Sequence, residues 1–417
     1  MSQTHILTWI IAAVATAGVI LRPFHWPEFI WAIAGAVLLV AFGLLAPTDA
    51  LAGVGKGADV YLFLIGMMLL AEVARQEHLF DWLAAVATRR AKGSATKLFL
   101  LVYAVGTVVT VFLSNDATAV VLTPAVAAAV TTAKADQPLP YLLICAFIAN
   151  AASFVLPISN PANLVIYGNH MPPLLEWLPR YGLASVVSIV VTYAVLYWTQ
   201  RQALTQKITG DVSVPKLSGA GKTAAIGIAA TAVVLLVASA FGVQLGLPTA
   251  AAGIVTVVVV LVRERKAPWD TVKGVSWGVL PLVAGLFVLV EALDKTGLVG
   301  LVSGELQQGA ERAAGWTAWA AGVAVALGCN LMNNLPAGLI AGHAVQAAHV
   351  PDQVVRAVLI GVDLGPNLSV TGSLATILWL TALRREGLTV GGWTFLRLGV
   401  LVMPPALLAA IAVTWII

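Results

Sequence analysis

Two asparagines, each set in a break between apolar runs, carry the most legible chemistry in this sequence. Phe112 to Pro124 reads FLSNDATAVVLTP and Cys329 to Gly342 reads CNLMNNLPAGLIAG, which puts Asn115 in register with Asn334, 219 positions later. Two further apolar stretches are interrupted at Pro157 to Asn163 (PISNPAN) and at Gly365 to Ser373 (GPNLSVTGS). A helix that stops inside an apolar medium leaves backbone N–H or C=O groups without helical partners, and these become contacts for a bound solute. Ser114, Asn115, Asp116, Ser159, Asn160, Asn163, Asn333, Asn334, Thr371, Gly372 and Ser373 are therefore the expected binding set, mostly neutral donors and acceptors with a glycine for close approach. Any one of these asparagines or serines could simply cap a helix end; the recurrence of the set in both halves points to binding. Asp116 and Asp363 are the charged groups expected at depth. A carboxylate at a helix centre costs about 2.5–3.5 kcal/mol to insert and is retained mostly for function, so both are expected to take up and release a proton. Asp363, in DLGPN, also has a plain reading as the cap of a helix break.

The elements that must hold these residues follow from composition. With 60% hydrophobic residues, 10% charged and a mean hydropathy of +0.94, a 417-residue chain reads as an all-α polytopic membrane protein. Spans are expected near 6–21, 28–45, 58–75, 139–168 and 181–200, and again near 223–241, 247–262, 277–293, 352–383 and 392–416. The stretches 94–133 and 316–349 carry polar residues at mid-length and are expected as re-entrant hairpins, while 139–168 and 352–383 are broken helices. The repeat has further anchors: Pro27 with Pro248, Ala46-Pro47-Thr48-Asp49 with Ala267-Pro268-Trp269-Asp270, and Glu72 with Glu291. Five spans per half is an odd number, which predicts two inverted repeats, 1–204 and 223–417, joined by a linker at 205–222. Most of the 23 Lys and Arg then fall on one side, among them Arg89, Arg90, Lys92, Lys207, Lys216, Arg263, Arg265, Lys266, Arg384 and Arg385. By the positive-inside rule that side is cytoplasmic and both termini are outside. Segments 76–92 and 296–313 are expected as surface helices, and Trp26, Trp177, Trp269, Trp316 and Trp393 as an aromatic belt. Charge balance gives no support for nucleic-acid binding, and Cys145 and Cys329 are too few for a disulfide framework.

FLSNDATAVVLTP, NLMNNLPAGLIAG and above all GVDLGPNLSVTGSLATILWL, from Gly361 to Leu380, resemble the arsenite permease family, ArsB-type membrane proteins of arsenical resistance within the ion transporter superfamily. The resemblance runs the length of the chain. It implies efflux of As(OH)3 and Sb(OH)3 from the cytoplasm of a bacterium or archaeon in exchange for protons, by a scaffold and a transport domain with two hairpins. It also allows a separate cytoplasmic ATPase partner of the ArsA type. Where the family pattern leads one to expect an acidic residue, this chain has Asn150, which would leave proton coupling to Asp116 or Asp363.

The residue chemistry is compatible with a neutral triol. No Lys or Arg falls at a hairpin tip or in a broken segment, whereas anions are normally met by Arg or Lys. A neutral solute gains nothing from the membrane potential, while each inward proton contributes about 2.3 kcal/mol per 100 mV. No GxxxxGK[ST] phosphate loop or HExxH is present, so no cofactor, ATP hydrolysis or intramembrane enzyme chemistry is expected of this chain. The competing expectation is a sodium/proton antiporter or sodium-coupled anion carrier of the same architecture, because asparagine side chains and carbonyls at hairpin tips also suit Na⁺.

Overall fold

The computed structural model describes residues 3–168, 171–210 and 212–416, and they form a multi-pass helical bundle. The first half runs α1 (Gln3–Leu21), α2 (Glu28–Ala41), α3 (Pro47–Lys56), α4 (Ala58–Gln76), α5 (Leu79–Ala91), α6 (Ala95–Phe112) and α7 (Asn115–Ala117). It continues through a π-helical turn (Thr118–Leu122) into α8 (Thr123–Thr132), α9 (Leu139–Ala151), α10 (Pro161–Tyr167) and α11 (Leu174–Gln200). The second half runs α12 (Gly219–Ala240), α13 (Gly246–Glu264), α14 (Trp269–Gly274), α15 (Val279–Lys295), α16 (Leu298–Met332), α17 (Asn334–Ala348), α18 (Asp352–Leu364), α19 (Leu374–Arg385) and α20 (Gly392–Val413). Helix is the form these apolar runs must take, since it alone satisfies every backbone group within one segment. Among the described residues the only β-type pairing is an isolated bridge between Ser94 and Lys207, which straps the linker to the base of the first hairpin. Thr209 N–H adds a bond to the Ala133 carbonyl there, at 2.8 Å.

The expected ten spans are not all full-length helices. Among the described residues seven helices are long and apolar enough to cross a bilayer: α1, α6, α11, α12, α13, α16 and α20. An eighth arises if α3 and α4, bent by 48° at Gly57, are taken as one. α2 and α9 are apolar but shorter, and α15 ends in Glu291, Asp294 and Lys295. The physical reason is visible in α9 and α18: each stops at a mid-run break, so each supplies only part of a crossing.

Packing ties each half to the other. α4 crosses α13 where Gly66 lies so close that a Cβ would sit 2.2 Å from the Thr249 carbonyl oxygen. α15 crosses α2 at Gly285, where a Cβ would come within 2.8 Å of Ala32. Small residues let helix backbones approach in this way where no hydrophobic effect drives association. The short helices after the two Ala-Pro-x-Asp motifs behave alike. α3 packs on α15, where Lys56 reaches the buried Glu291 at 2.5 Å, and α14 packs on α4, where Thr271 donates to Gln76 at 2.8 Å beside the Glu72–Arg75 pair. Trp26, Trp269, Trp316 and Trp393 are exposed as a belt requires, but Trp177 is not. It is fully buried, donates to the Phe154 carbonyl at 3.2 Å and lies against Tyr181, because α11 begins under the first broken segment.

Candidate functional site

The first hairpin turns at Leu113 and Ser114, between α6 and the helical run that starts at Asn115. Ser114 holds φ 144, a conformation that costs a non-glycine residue strain, and its hydroxyl accepts the Ala117 N–H at 3.4 Å. Asn115 turns its side-chain oxygen back to its neighbour's N–H, Asp116, at 2.9 Å. The π-helical turn follows at once, and Thr118 and Thr110 share a hydrogen bond of 2.8 Å across the two arms. Such turns recur at functional sites because they shift the register of a helix face. The second hairpin repeats the design at Asn333, φ 76, whose side chain caps α17 at the Leu335 N–H. Here the Asn334 N–H is taken by the Gly372 carbonyl at 2.9 Å, which fastens the second hairpin to the second broken segment.

The broken segments are held by side chains. Asn160 caps α10 through the Ala162 N–H at 3.0 Å, and Ser373 caps α19 through the Thr376 N–H at 3.2 Å. Ser159 donates to the Val111 carbonyl at 3.0 Å, joining the first broken segment to the first hairpin. Asn163 spans its own break, donating to the Ser153 carbonyl at 2.9 Å. Thr371 donates to the Asn330 carbonyl at 2.8 Å, and Ser369 to the Asn330 side-chain oxygen at 2.6 Å. Asn160 also donates to the carboxylate of Asp363, which is fully buried.

These parts enclose a pocket lined by Asn115, Asp116, Asn160, Pro161, Asn334, Leu335, Leu374 and Ala375, with Leu64 and Val279 beside them. The helical runs that begin at Asn115, Pro161, Asn334 and Leu374 all line it with their first residues, and helix starts carry partial positive charge. No Lys or Arg is among its lining residues. Its cavity volume is about 10 Å³, room for about one water molecule, so the hairpins and broken helices close tightly around it. Leu64, Asp116 and Val279 are shared with a vestibule of about 740 Å³ whose lining includes Arg75, His78, Lys273, Arg385 and Glu386. A second vestibule, about 250 Å³, lies at the other end of α4 and is lined by Lys56, Asp59, Phe287, Leu339, His343 and Gln346 among others. It shares no lining residue with the pocket. Of the two vestibules, the one rimmed by Arg75 and Arg385 is the one that shares lining residues with the pocket.

Of the expected set, Asn115, Asp116, Asn160 and Asn334 meet at this pocket. Ser114, Asn333 and Ser373 act as caps, Ser159, Asn163 and Thr371 as struts, and Gly372 as the acceptor for Asn334. Asp363 sits behind Asn160 and not among the lining residues. Sequence reasoning missed Asn330 and Asn367. Asn330 binds the Gly365 carbonyl at 3.0 Å, and Asn367 accepts from Asn150 at 3.0 Å while donating to the Phe147 carbonyl. The signal for both was present, since Asn367 lies inside the break recognised at Gly365 to Ser373 and Asn330 lies three residues before Asn333.

A family model described as citrate transporter (CitMHS) matches residues 7–361. The chain belongs to that family. Among curated proteins it is 27% identical over 361 residues to an arsenical pump membrane protein of Yersinia enterocolitica, 84% of each chain. It is 26% identical over 391 residues to one of Escherichia coli K12, 91% of each. An uncharacterised transporter of Mycobacterium tuberculosis is 25% identical over 418 residues. Two solved structures share the fold: the YdaH transporter of Alcanivorax borkumensis, with a TM-score of 0.56 and 16% identity over 88% of this chain and 87% of that one, and MtrF of Neisseria gonorrhoeae, with 0.55 and 12% over 100% and 95%. The citrate transporter family chain thus sits among ion-transporter-superfamily proteins as a secondary-transporter-like membrane protein, and the expected tie to arsenite permeases holds at that wider level.

Proposed function

We propose that this protein is a secondary active transporter that exports arsenite and antimonite, as As(OH)3 and Sb(OH)3, by exchange for protons, and that it confers arsenic resistance from the cytoplasmic membrane. The observation that carries the reading is the pocket itself: small, free of Lys and Arg among its lining residues, and lined by the neutral amides of Asn115, Asn160 and Asn334 amid apolar side chains. In this proposal Asn115, Asn160 and Asn334 hold the solute. Ser114, Ser159, Asn163, Asn333, Thr371, Gly372 and Ser373 keep the hairpins and broken helices in place. Asp116, at the boundary of pocket and open vestibule, exchanges a proton with water, and Asp363 supports it from behind Asn160. The arsenical pump relatives support the choice of solute.

The same proposal takes the chain as two inverted repeats of five spans, 1–204 and 223–417, joined by a cytoplasmic linker at 205–222, with both termini outside. Recurrence of the Gly66 and Gly285 crossings and of the Glu72 and Glu291 pairs in the two halves supports it. The larger vestibule then opens to the cytoplasm, as an exporter awaiting its solute requires. A cytoplasmic ATPase of the ArsA type would dock on the basic rim.

A second reading, sodium-coupled transport of a carboxylate anion, is favoured by the family description and by the same helix starts, which also suit negative charge. Expression in an arsenite-sensitive host separates the two. Export predicts lower cell-associated arsenic and growth at higher arsenite than an empty vector gives. Unchanged arsenic content with carboxylate uptake would favour the second reading.

A further inference from the structure

Two cation–π pairs stand among the described residues, and they fall on α11 and α20, helices that pack against each other. The Arg201 guanidinium lies over the Trp198 ring, 5.8 Å from its centroid, and that of Arg397 lies over the Trp393 ring at 5.3 Å. Both indoles are on the outside of the bundle, 55% and 64% exposed.

The two pairs meet at one depth. Tyr197, beside Trp198, has its ring 6.4 Å from Phe99, which in turn lies 6.4 Å from Tyr141 near the start of α9. Phe395, two residues after Trp393, packs on Trp379, whose indole donates at 2.9 Å to the carbonyl of Leu142, the next residue of α9. The guanidiniums reach this layer from opposite directions, because helical side chains lean toward the N-terminus of their own helix. Arg201 caps the end of α11 and leans back along it, whereas Arg397, well inside α20, leans out toward its start.

Neither arginine has a carboxylate partner or a side-chain hydrogen bond among the described residues, in contrast to Arg22, Lys56, Arg75, Arg180 and Lys266, each of which pairs with an Asp or Glu. Arg397 stands between Leu396 and Leu398 in an apolar helix, where a charge without a counter-charge is costly. Exposed Val190 on α11 and exposed Val400 and Leu401 on α20 continue the surface away from the indoles as an apolar wall.

An anion carrying apolar chains completes this arrangement. Guanidinium is weakly hydrated, and its planar fork matches phosphate oxygens. The indole faces that could have held a choline head are covered by the guanidiniums, and neither arginine has a carboxylate beside it to take up an ammonium, so the head must carry net negative charge. We propose that Arg201 and Arg397 bind the phosphodiester of an anionic phospholipid in the leaflet at the linker end of the bundle, with its acyl chains along α11 and α20. The lipid clamps two helices that each hold a broken segment. Ser188 of α11 donates to the Ala151 carbonyl at 2.8 Å, and Gly399 of α20 lies where a Cβ would come within 2.2 Å of the Leu368 carbonyl oxygen. This site does not depend on which solute is carried.

The test uses the full-length protein, purified and delipidated in a non-ionic detergent without arsenite. Phosphatidylglycerol is expected to raise Tm by about 5 °C at saturation, whereas phosphatidylcholine with the same chains, and inorganic phosphate, are expected to leave it unchanged. The protein carrying both Arg201→Gln and Arg397→Gln is expected to lose the response. If it is not recovered folded, Arg397→Lys keeps the charge and removes the fork, and is expected to shift the phosphatidylglycerol midpoint about tenfold. An equal response to the two lipids, a rise with inorganic phosphate as large as that with phosphatidylglycerol, a response that survives the double substitution, or an unchanged midpoint in Arg397→Lys would overturn the site. None of these outcomes involves arsenite, so the lipid site and the transport reading can fail separately.

Discussion

The side-chain amide of Asn160 donates to the carboxylate of Asp363, 203 positions away, while its oxygen caps α10. One asparagine thus belongs at once to the pocket wall, to the start of a half-helix and to the buried charge of the opposite half. A change on either side of it must be felt on the other, which is the physical requirement for coupled transport.

Asn160→Ala removes a donor from a buried carboxylate and a cap from a helix. The expected cost is about 1–3 kcal/mol, read as a lower Tm in detergent, together with loss of transport. Asn160→Asp sets two carboxylates side by side and is expected to be the worse of the two.

Asn115→Ala and Asn334→Ala should each leave the fold intact while raising the half-saturating arsenite concentration about tenfold, the equivalent of one lost hydrogen bond of about 1.4 kcal/mol. Binding to purified protein and initial rates of vesicle uptake both read this. Unchanged half-saturation in both variants would remove them from the pocket's chemistry.

Asp116→Asn is expected to separate binding from coupling. Proton-driven accumulation should be lost, whereas exchange of labelled for unlabelled arsenite across the vesicle membrane, which needs no net proton movement, should persist. Loss of both would make Asp116 a substrate ligand and not a proton carrier.

The hairpin tips and broken segments were legible because polar residues inside apolar runs have few physical reasons to be there, and the repeat put both sets in the same order. The roles within the set were not. Asn115 and Asn163 look alike in sequence, yet one faces a pocket and the other bridges its own helix break, a difference made by α10 folding back over Ser153. Asn330 and Asn367 stood at or beside recognised breaks, but their roles were not legible because their partners lie on other helices. α3 and α14 were marked only as repeated Ala-Pro-x-Asp motifs. Each becomes a helix against the opposite half, where Lys56 finds Glu291 and Thr271 finds Gln76. Trp177 misled for the same reason: a span-end tryptophan reads as an interface anchor until the Phe154 carbonyl is known to lie above it.

Gly66→Val and Gly285→Val probe the crossings between halves. A side chain at either position would meet backbone at 2.8 Å or less, and overpacking of this kind costs about 1–3 kcal/mol or more. Both variants should show lower folded yield and lower Tm, and similar penalties at the two sites would support the repeat.

The most direct test of the account is arsenite uptake into everted membrane vesicles energised by respiration, with and without a protonophore. The account predicts accumulation that requires the protein and collapses when the protonophore is added. Absence of protein-dependent arsenite uptake, or accumulation that survives the protonophore, would contradict it.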